Sequence, residues 1–164
     1  NPVDCGPRIV PGYLPGAVGA ITAHHSRLHA REFGFGAPFE AMVAAEVAGF
    51  LSRFDPARDG LWLLVDGGRI LGSLALDGTG DDGARLRWFI VADELRGRGF
   101  GGRLLDTAIA FCRRAGHRRL ALSTVAGRDA ARRLYERSGF RLAREADSEM
   151  FGSTLREQWF EWTP

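Results

Sequence analysis

The stretch Arg96-Gly97-Arg98-Gly99-Phe100-Gly101-Gly102-Arg103 decides the fold of this chain and the kind of ligand that it can bind. A strand-like run ends at Val91 before it, and the apolar residues after it recur at the 3.6-residue period of a surface helix. A glycine-rich turn at a helix N-terminus leaves unpaired backbone N–H groups at the positive end of the helix dipole, which is a site for phosphate. Glycine lets a pyrophosphate approach the backbone, and the arginines of the loop supply charge. The loop is therefore predicted to bind a di- or polyphosphate.

Two other phosphate-binding loops fit this sequence less well. The G-x-x-x-x-G-K-[ST] loop of nucleoside triphosphatases is excluded, because the chain has no lysine and all 22 basic residues are arginine. The dinucleotide fingerprint G-x-G-x-x-G is formally matched, but it should directly follow the first strand of a longer domain. Here the loop lies past mid-chain, and residues 92–95 separate it from its strand. The pattern is better described as R-x-x-G-x-G, formed by Arg96, Gly99 and Gly101.

Length and composition predict a single domain over residues 1–164, with 1–14 as an irregular segment or an edge strand. Cys5 and Cys112 form no C-x-x-C pair, which is typical of a reducing compartment. No apolar run approaches a membrane span, so we expect a cytoplasmic protein without a membrane partner. The net charge of +2 is too balanced to indicate nucleic acid, and no metal-ligand spacing is present, so no metal is predicted.

Apolar periodicity divides the chain into alternating helices and strands. Helices are predicted near 16–33 and 38–54, directly after the phosphate loop, and over 129–138. Strands are predicted near 61–65, 69–76, 84–91 and 119–123, from 140 onward, and over 158–162. The last strand is expected to pair antiparallel with the one that begins at Phe140, across a loop over 146–156.

Three segments of the chain resemble the GNAT family of N-acetyltransferases. The R-x-x-G-x-G turn in this setting is similar to motif A of the family, which binds the pyrophosphate of acetyl-CoA. Downstream, residues 131–140 (ARRLYERSGF) resemble the family's A-x-x-x-Y-x-x-x-G-F segment. Upstream, residues 61–76 with the Asp66-Gly67-Gly68 turn look like its antiparallel strands. Scattered positions are most similar to the acetyltransferase half of proteins in which a MarR-type regulator is fused to such a domain.

The resemblance implies an α/β (α+β) fold: a mixed, mostly antiparallel sheet, splayed at the cofactor loop and flanked by about four helices. It implies acetyl-CoA as cosubstrate, with an unpaired backbone N–H at the end of the strand facing the thioester carbonyl. The residues that it assigns to acetyl-CoA are Ile90, Val91, Arg96, Gly97, Arg98, Gly99, Phe100, Gly101, Gly102, Arg103 and Arg128. Many members carry asparagine where Arg128 stands, so a contact to the pantetheine arm is either lost or made by this arginine.

Tyr135, in the A-x-x-x-Y segment, is the predicted general acid. A phenol titrates near roughly 10 and a thiol near roughly 8.5, so at neutral pH the tyrosine is protonated and can donate to a developing thiolate. The alternative is a helix-face tyrosine that packs beside Leu134. No covalent intermediate is expected, because Ser123 has no adjacent histidine and Cys112 is predicted to be buried.

The sequence indicates the general base less clearly than the acid. Glu46 falls on the apolar stripe of the second helix, where a carboxylate is costly to bury unless it is paired. It is therefore either a base with a raised pKa or the partner of an arginine. Glu40 fits a first-turn carboxylate, His25 fits a core histidine, and a water relay is left open.

Two classes of function remain. The favoured one is an acetyl-CoA-dependent N-acetyltransferase in which a primary amine attacks the thioester directly in a ternary complex. Its acceptor is a small-molecule amine or an amine of a peptide or protein, and a homodimer is left open. The other class is a non-catalytic acyl-CoA-binding sensor or interaction domain, which would not need Tyr135. Aromatic residues offered for an acceptor pocket are Phe35, Phe39, Trp88, Phe151 and Trp159.

Overall fold

A seven-stranded mixed sheet with the strand order β1-β2-β3-β4-β5-β7-β6 organises the computed structural model, which describes residues 6–164. Its strands are β1 (Arg8–Pro11), β2 (Gly60–Asp66), β3 (Arg69–Asp77), β4 (Ala84–Val91), β5 (Leu120–Val125), β6 (Arg141–Met150) and β7 (Ser153–Trp162). The helices are α1 (Ala17–Phe33), α2 (Ala37–Ser52), α3 (Phe100–Ala115) and α4 (Asp129–Arg137), with a short 3-10 turn at Asp93–Leu95. Cys5 and the rest of residues 1–5 lie outside the described part.

The central feature of the sheet is the junction of β4 and β5. These strands run parallel and pair only at Ala84↔Leu120 and Arg85↔Ala121, whereas every other neighbouring pair is antiparallel. Beyond Arg85 the two strands diverge, so the sheet opens toward the end of β4 that leads into the glycine loop. The predicted mixed, mostly antiparallel and splayed sheet with four helices is confirmed.

Helices cover both faces of the sheet and bury separate apolar clusters. The amphipathic helix α3 packs on one face, where Leu104, Leu105 and Ala108 are fully buried beside residues of β3, β4 and β5. Helices α1 and α2 cover the other face, with Ile21 and Phe50 among their buried side chains. The opening between β4 and β5 is therefore reached from two different sides.

The terminal hairpin is longer than the sequence pattern predicted. In place of a loop over 146–156, β6 and β7 pair antiparallel out to Met150↔Ser153, with Phe151 and Gly152 as the two turn residues. Both have positive φ, 48° and 81°, as a two-residue type I′ turn requires. Most of β6 is exposed and polar, so the alternation that would identify a strand is absent from it.

The remaining boundaries agree with the sequence. The first helix begins and ends within a residue or two of its prediction, and Arg8–Pro11 forms the edge strand paired with β2. Asp66↔Arg69 closes the predicted hairpin over Gly67 and Gly68, both at positive φ. Within residues 6–164, no helix is long and apolar enough to cross a membrane.

Candidate active site

The glycine loop enters α3 in the geometry that leaves its N-terminal amides free. Gly97 and Gly99 have φ of 75° and 82°, and Gly99 is the N-cap of α3 with no side-chain cap. The first amides of a helix have no partner within it, so those of Phe100, Gly101 and Gly102 can donate to an anion. A Cβ at 97 or 99 would meet open space, so lack of room does not explain these glycines. The positive φ does, because residues with a side chain rarely adopt it.

Gly101 has a different requirement. A Cβ at this position would lie 3.3 Å from Leu134 Cδ2 and 3.6 Å from Phe89 Cζ. Close packing against α4 and β4 therefore favours glycine at this position, whether or not a ligand is bound.

Two of the three loop arginines are free to bind a ligand. Arg96 pairs with Asp93 at 3.1 Å. The guanidinium groups of Arg98 and Arg103 lie 5.6 and 5.2 Å from the centre of the Phe100 ring. Across residues 6–164, neither has a carboxylate within salt-bridge distance. Two uncommitted cations beside a helix N-terminus fit a diphosphate.

A bulge in β4 shapes the opening of the sheet. The pairing of β3 with β4 shifts between Ser73↔Ile90 and Ala75↔Arg87, and Trp88 takes a φ of 50°. The Ser73 hydroxyl donates a 2.6 Å hydrogen bond to the carbonyl oxygen of Trp88. The β5-facing edge of β4 has no strand partner beyond Arg85, so backbone groups up to Ile90 and Val91 border the opening. An unpaired N–H at such an edge can donate to a carbonyl oxygen.

Tyr135 lies on the α3 side of this opening. Its ring is 7% exposed and packs against Phe89, Phe140 and Phe160, with centroids 6.2, 6.1 and 5.7 Å away. Burial raises the pKa of Tyr135 to about 12, and the nearby Arg128 guanidinium opposes that shift. The phenol therefore stays protonated at neutral pH and can donate a hydrogen bond.

The last turn of α1 is joined by ion pairs to both sides of the opening. Arg31 pairs with Asp93 in the segment after β4 at 3.0 Å. Glu32 pairs at 2.9 Å with Arg128, the N-cap residue of α4. Arg128 is thus partnered by a carboxylate that the sequence analysis did not identify, because the two residues lie 96 positions apart.

His25 of α1 lies next to the Trp88 backbone at the bulge, on the opposite face of the sheet to Tyr135. His25 is 9% exposed, and burial lowers its pKa to about 4. The Trp88 backbone lies close enough to oppose that shift, although His25 Nε2 makes no hydrogen bond of normal geometry. Thr22 Oγ1 and Ser26 Oγ, on the same helix face, are also buried without a partner among the described residues. His25 is buried, as predicted, but its Nε2 has no hydrogen-bond partner among the described residues.

Glu46 is held by an arginine of β4. Its carboxylate accepts a 2.6 Å hydrogen bond from Arg87, whose guanidinium also lies 4.5 Å from the centre of the Trp88 ring. The Glu46 side chain is 39% exposed, so it lies at the rim of α2 and not in the buried stripe that the sequence pattern placed it on. The sequence left two hypotheses for Glu46, a general base and the partner of an arginine. Its geometry is that of the arginine partner.

The aromatic residues offered for an acceptor pocket divide into three groups. Phe35, Phe39 and Phe151 meet where the α1–α2 connection faces the β6–β7 turn, with centroids 5.3 to 5.7 Å apart. Trp88 packs instead against Phe50 of α2. Trp159 lies under the guanidinium of Arg144 on the terminal hairpin. The first three therefore form an aromatic wall next to the end of α1.

Comparison with known proteins relates the sequence to acetyltransferases. The sequence model of the Acetyltransferase (GNAT) family matches residues 24–140. A mycothiol acetyltransferase of Geodermatophilus obscurus is 38% identical over 93 residues, which are 53% of this chain and 30% of that protein. The matched region thus spans less than a third of that relative's length.

Solved structures share the fold over nearly the whole chain. A ribosomal-protein-alanine N-acetyltransferase from Brucella melitensis has a TM-score of 0.76 at 16% identity, covering 94% of this chain and 99% of that chain. The protein yncA from Salmonella typhimurium, solved with its cofactor acetyl-CoA, has a TM-score of 0.75 at 16% identity, covering 94% and 93%. A GNAT-family acetyltransferase from Staphylococcus aureus Mu50 has a TM-score of 0.76 at 16% identity, covering 96% and 99%. At these identities the likeness concerns the fold alone.

Proposed function

Because the chain belongs to the acetyltransferase (GNAT) family, we propose that it transfers the acetyl group of acetyl-CoA to a primary amine, by direct attack in a ternary complex. The observation that supports this most is the divergence of β4 from β5 beside the glycine loop. It opens a passage between the phosphate site on one face of the sheet and the α1–α2 face on the other. Holding two reactants at such a passage supplies much of the rate of a direct transfer.

Acetyl-CoA fits the residues of this passage. Its pyrophosphate would bind residues 96–102, chiefly through the amides of the first turn of α3, with Arg98 and Arg103 adding charge-assisted hydrogen bonds. The thioester would then lie at the unpaired edge of β4, where a backbone N–H near Ile90 and Val91 stabilises the oxyanion. Arg128 borders the same opening, and its ion pair with Glu32 leaves further N–H groups of the guanidinium for the pantetheine arm.

Tyr135 donates a hydrogen bond, and then its proton, to the leaving sulfur in this proposal. A phenol whose pKa is near 12 holds its proton more tightly than a thiol does, so it acts first as a hydrogen-bond donor that stabilises the developing thiolate. Arg128 counteracts the effect of burial and makes the phenol a better acid. Proton transfer to sulfur completes the departure of CoA.

The acceptor is proposed to be a small-molecule amine or an amine of a peptide or protein, entering from the α1–α2 face beside the aromatic wall. A cytoplasmic location and a relationship to the acetyltransferase half of MarR fusion proteins stay predictions from the sequence.

Two measurements test the proposed function. Calorimetry should detect 1:1 binding of CoA that weakens as salt is raised, because phosphate contacts contribute to it. Release of the CoA thiol from acetyl-CoA should then be stimulated by at least one primary amine in a panel of amines, amino acids and peptides. Tight CoA binding without stimulation by any of them would instead support the acyl-CoA-binding sensor.

A further inference from the structure

Direct attack needs a group that accepts the proton of the amine, and Glu46 is committed to Arg87. A general base must have a free lone pair, be accessible to the acceptor and lie across the thioester from the acid. The four histidines of the chain can be compared on these terms.

Three of the histidines fail at least one requirement. His117 Nε2 is 2.9 Å from the carbonyl oxygen of Arg58, away from the opening. His24 Nε2 is 2.9 Å from the carbonyl oxygen of Ile70 and donates there, so the tip of the ring is bound to β3 and its lone pair lies on Nδ1, beside its own helix and away from an acceptor. His25 Nε2 is fully enclosed, and an acceptor cannot contact it.

His29 meets the first two requirements. Its Nδ1 lies 2.8 Å from the carbonyl oxygen of His25, and since a carbonyl only accepts, Nδ1 holds the hydrogen. The neutral ring then keeps its lone pair on Nε2. The ring is half-buried and stacks on Phe39 with 4.4 Å between centroids, which fixes its plane at the aromatic wall.

The position of His29 meets the third requirement. It lies within one turn of Arg31 and Glu32, whose ion pairs join α1 to the two sides of the opening. Glu32, three positions after His29, pairs with Arg128 at the start of α4, the helix that carries Tyr135. His29 and Tyr135 therefore belong to the two helices that this ion pair joins across the opening.

The surroundings of His29, burial above all, keep its ring neutral at neutral pH. Burial lowers the pKa of His29, while the hydrogen bond to the His25 carbonyl opposes this. Arg128 lowers the pKa further and Glu32 raises it, with a net decrease from the usual 6.5. The ring of His25, 6.2 Å away, is itself neutral at this pH because its pKa is about 4. An uncharged imidazole is the form that a general base requires.

We propose that His29 Nε2 is the general base of the acetyl transfer, an inference that rests on the proposed function. Nε2 takes one proton from the acceptor nitrogen as the bond from nitrogen to the acetyl carbon forms. The carbon–sulfur bond breaks, and Tyr135 gives one proton to the sulfur. The products are the amide and the CoA thiol, and proton exchange with water returns His29 and Tyr135 to their starting states.

The test compares His29→Asn with the matched control His24→Asn on the same helix. Asparagine at 29 can still donate to the His25 carbonyl from the place of Nδ1, but it has no counterpart of Nε2. With benzylamine as acceptor and acetyl-CoA saturating, kcat/KM should fall about 10²-fold or more in His29→Asn. The control should keep wild-type turnover, and both variants should keep wild-type affinity for CoA. Normal turnover by folded His29→Asn overturns the assignment.

Two further readouts separate a base from a structural residue. With aniline, which stays neutral near pH 7, the wild-type rate should fall on the acid side with a pKa below 6.5, and this limb should be absent in His29→Asn. In ¹⁵N-histidine spectra of the wild-type protein at neutral pH, His29 should be protonated at Nδ1. Protonation at Nε2 instead overturns the proposal without any acceptor. If the wild-type chain acetylates neither amine, the amine that the panel identifies takes their place. A chain that binds CoA but acetylates no member of the panel overturns the proposed function, and this base with it.

Discussion

The hydroxyl of Ser73 donates a 2.6 Å hydrogen bond to the carbonyl oxygen of Trp88, across the β3–β4 bulge. This contact lies on the α1–α2 side of the opening, where Trp88 has a φ of 50°. A non-glycine residue in that region costs on the order of 1–2 kcal/mol, so surrounding contacts must maintain it. Ser73 is one of those contacts, and it links the shape of the candidate active site to a single buried side chain.

Ser73→Ala should therefore loosen the bulge more than it destabilises the fold. Removal of the buried hydrogen bond should lower the free energy of unfolding by about 1–2 kcal/mol. The rate of acetyl transfer should fall by more than the loss of folded protein explains, while the affinity for CoA stays that of the wild type. Denaturant unfolding and thiol-release kinetics on the same variant measure both effects, and an unchanged rate would show that the bulge is maintained without Ser73.

Glu46→Gln should affect stability and leave turnover nearly unchanged. The Glu46–Arg87 pair is partly exposed, so its loss should cost roughly 0.5–1 kcal/mol. A double-mutant cycle with Arg87→Gln measures the coupling of the pair by denaturant unfolding. A large loss of rate in stably folded Glu46→Gln, with a shifted acid limb in the pH profile, would instead make Glu46 the base.

Valine in the glycine loop should abolish CoA binding and leave the domain folded. Gly99→Val should abolish CoA binding, because valine at a φ of 82° shifts the amides of the α3 N-terminus and fills the open space before them. Gly12→Val is the matched control, since Gly12 has a φ of 89° and equally open surroundings outside the loop. Calorimetry should show wild-type CoA affinity for the control and none for Gly99→Val. Equal affinities in two folded variants would contradict the assignment of the loop.

Arg98→Ala should weaken CoA binding without abolishing it. A charge-assisted hydrogen bond contributes about 1.5–3 kcal/mol, and the amides of α3 remain, so an increase in Kd of roughly tenfold or more is expected. The salt dependence of the affinity should decrease in the same variant. Replacement of Arg96, which is paired with Asp93, should have the smaller effect of the two.

Tyr135→Phe should lower turnover on the order of 10²-fold and leave the affinity for CoA nearly intact. The ring keeps its contacts with Phe89 and Phe160, so the fold should not change. The loss should shrink for an acetyl donor whose thiol is more acidic than that of CoA. Tyr13→Phe, at the other and well exposed tyrosine, is the control and should behave as wild type. Normal turnover by Tyr135→Phe would make the tyrosine a packing residue.

His25 should make the fold sensitive to acid. Its pKa is about 4 in the folded chain and 6.5 when unperturbed, so the unfolded state binds the extra proton as the pH falls from 6.5 to 4. The free energy of unfolding is therefore unaffected by this group above pH 6.5. It decreases as the pH falls from 6.5 to 4, by an amount on the order of 3 kcal/mol. Denaturant unfolding between pH 7 and 4 should show a smaller decrease in His25→Leu than in the wild type. Parallel curves for the two proteins would contradict the shifted pKa.

Much of the fold follows from local features of the sequence. Gly67 and Gly68 predict their hairpin, because a two-residue turn needs positive φ at both places. The apolar residues of α3 predict a surface helix, since their spacing puts them on one face. The loop predicted over 146–156 was wrong for the opposite reason: the outer part of the β6–β7 hairpin has no buried residue, so its strands lack a clear apolar pattern.

The sequence by itself determined that a glycine-rich turn leads into the amphipathic helix α3, because turn conformation and apolar periodicity are local properties. Phosphate binding by that turn and the role of Tyr135 as acid stay predictions. Only the tertiary structure decided the partners: Arg87 holds Glu46, Glu32 holds Arg128, and His29 stacks on Phe39 with a free Nε2. Ion pairs such as Glu32–Arg128 join residues 96 positions apart. They form because the last turn of α1 lies between the segment after β4 and the start of α4, and that placement depends on how α1 packs against the sheet.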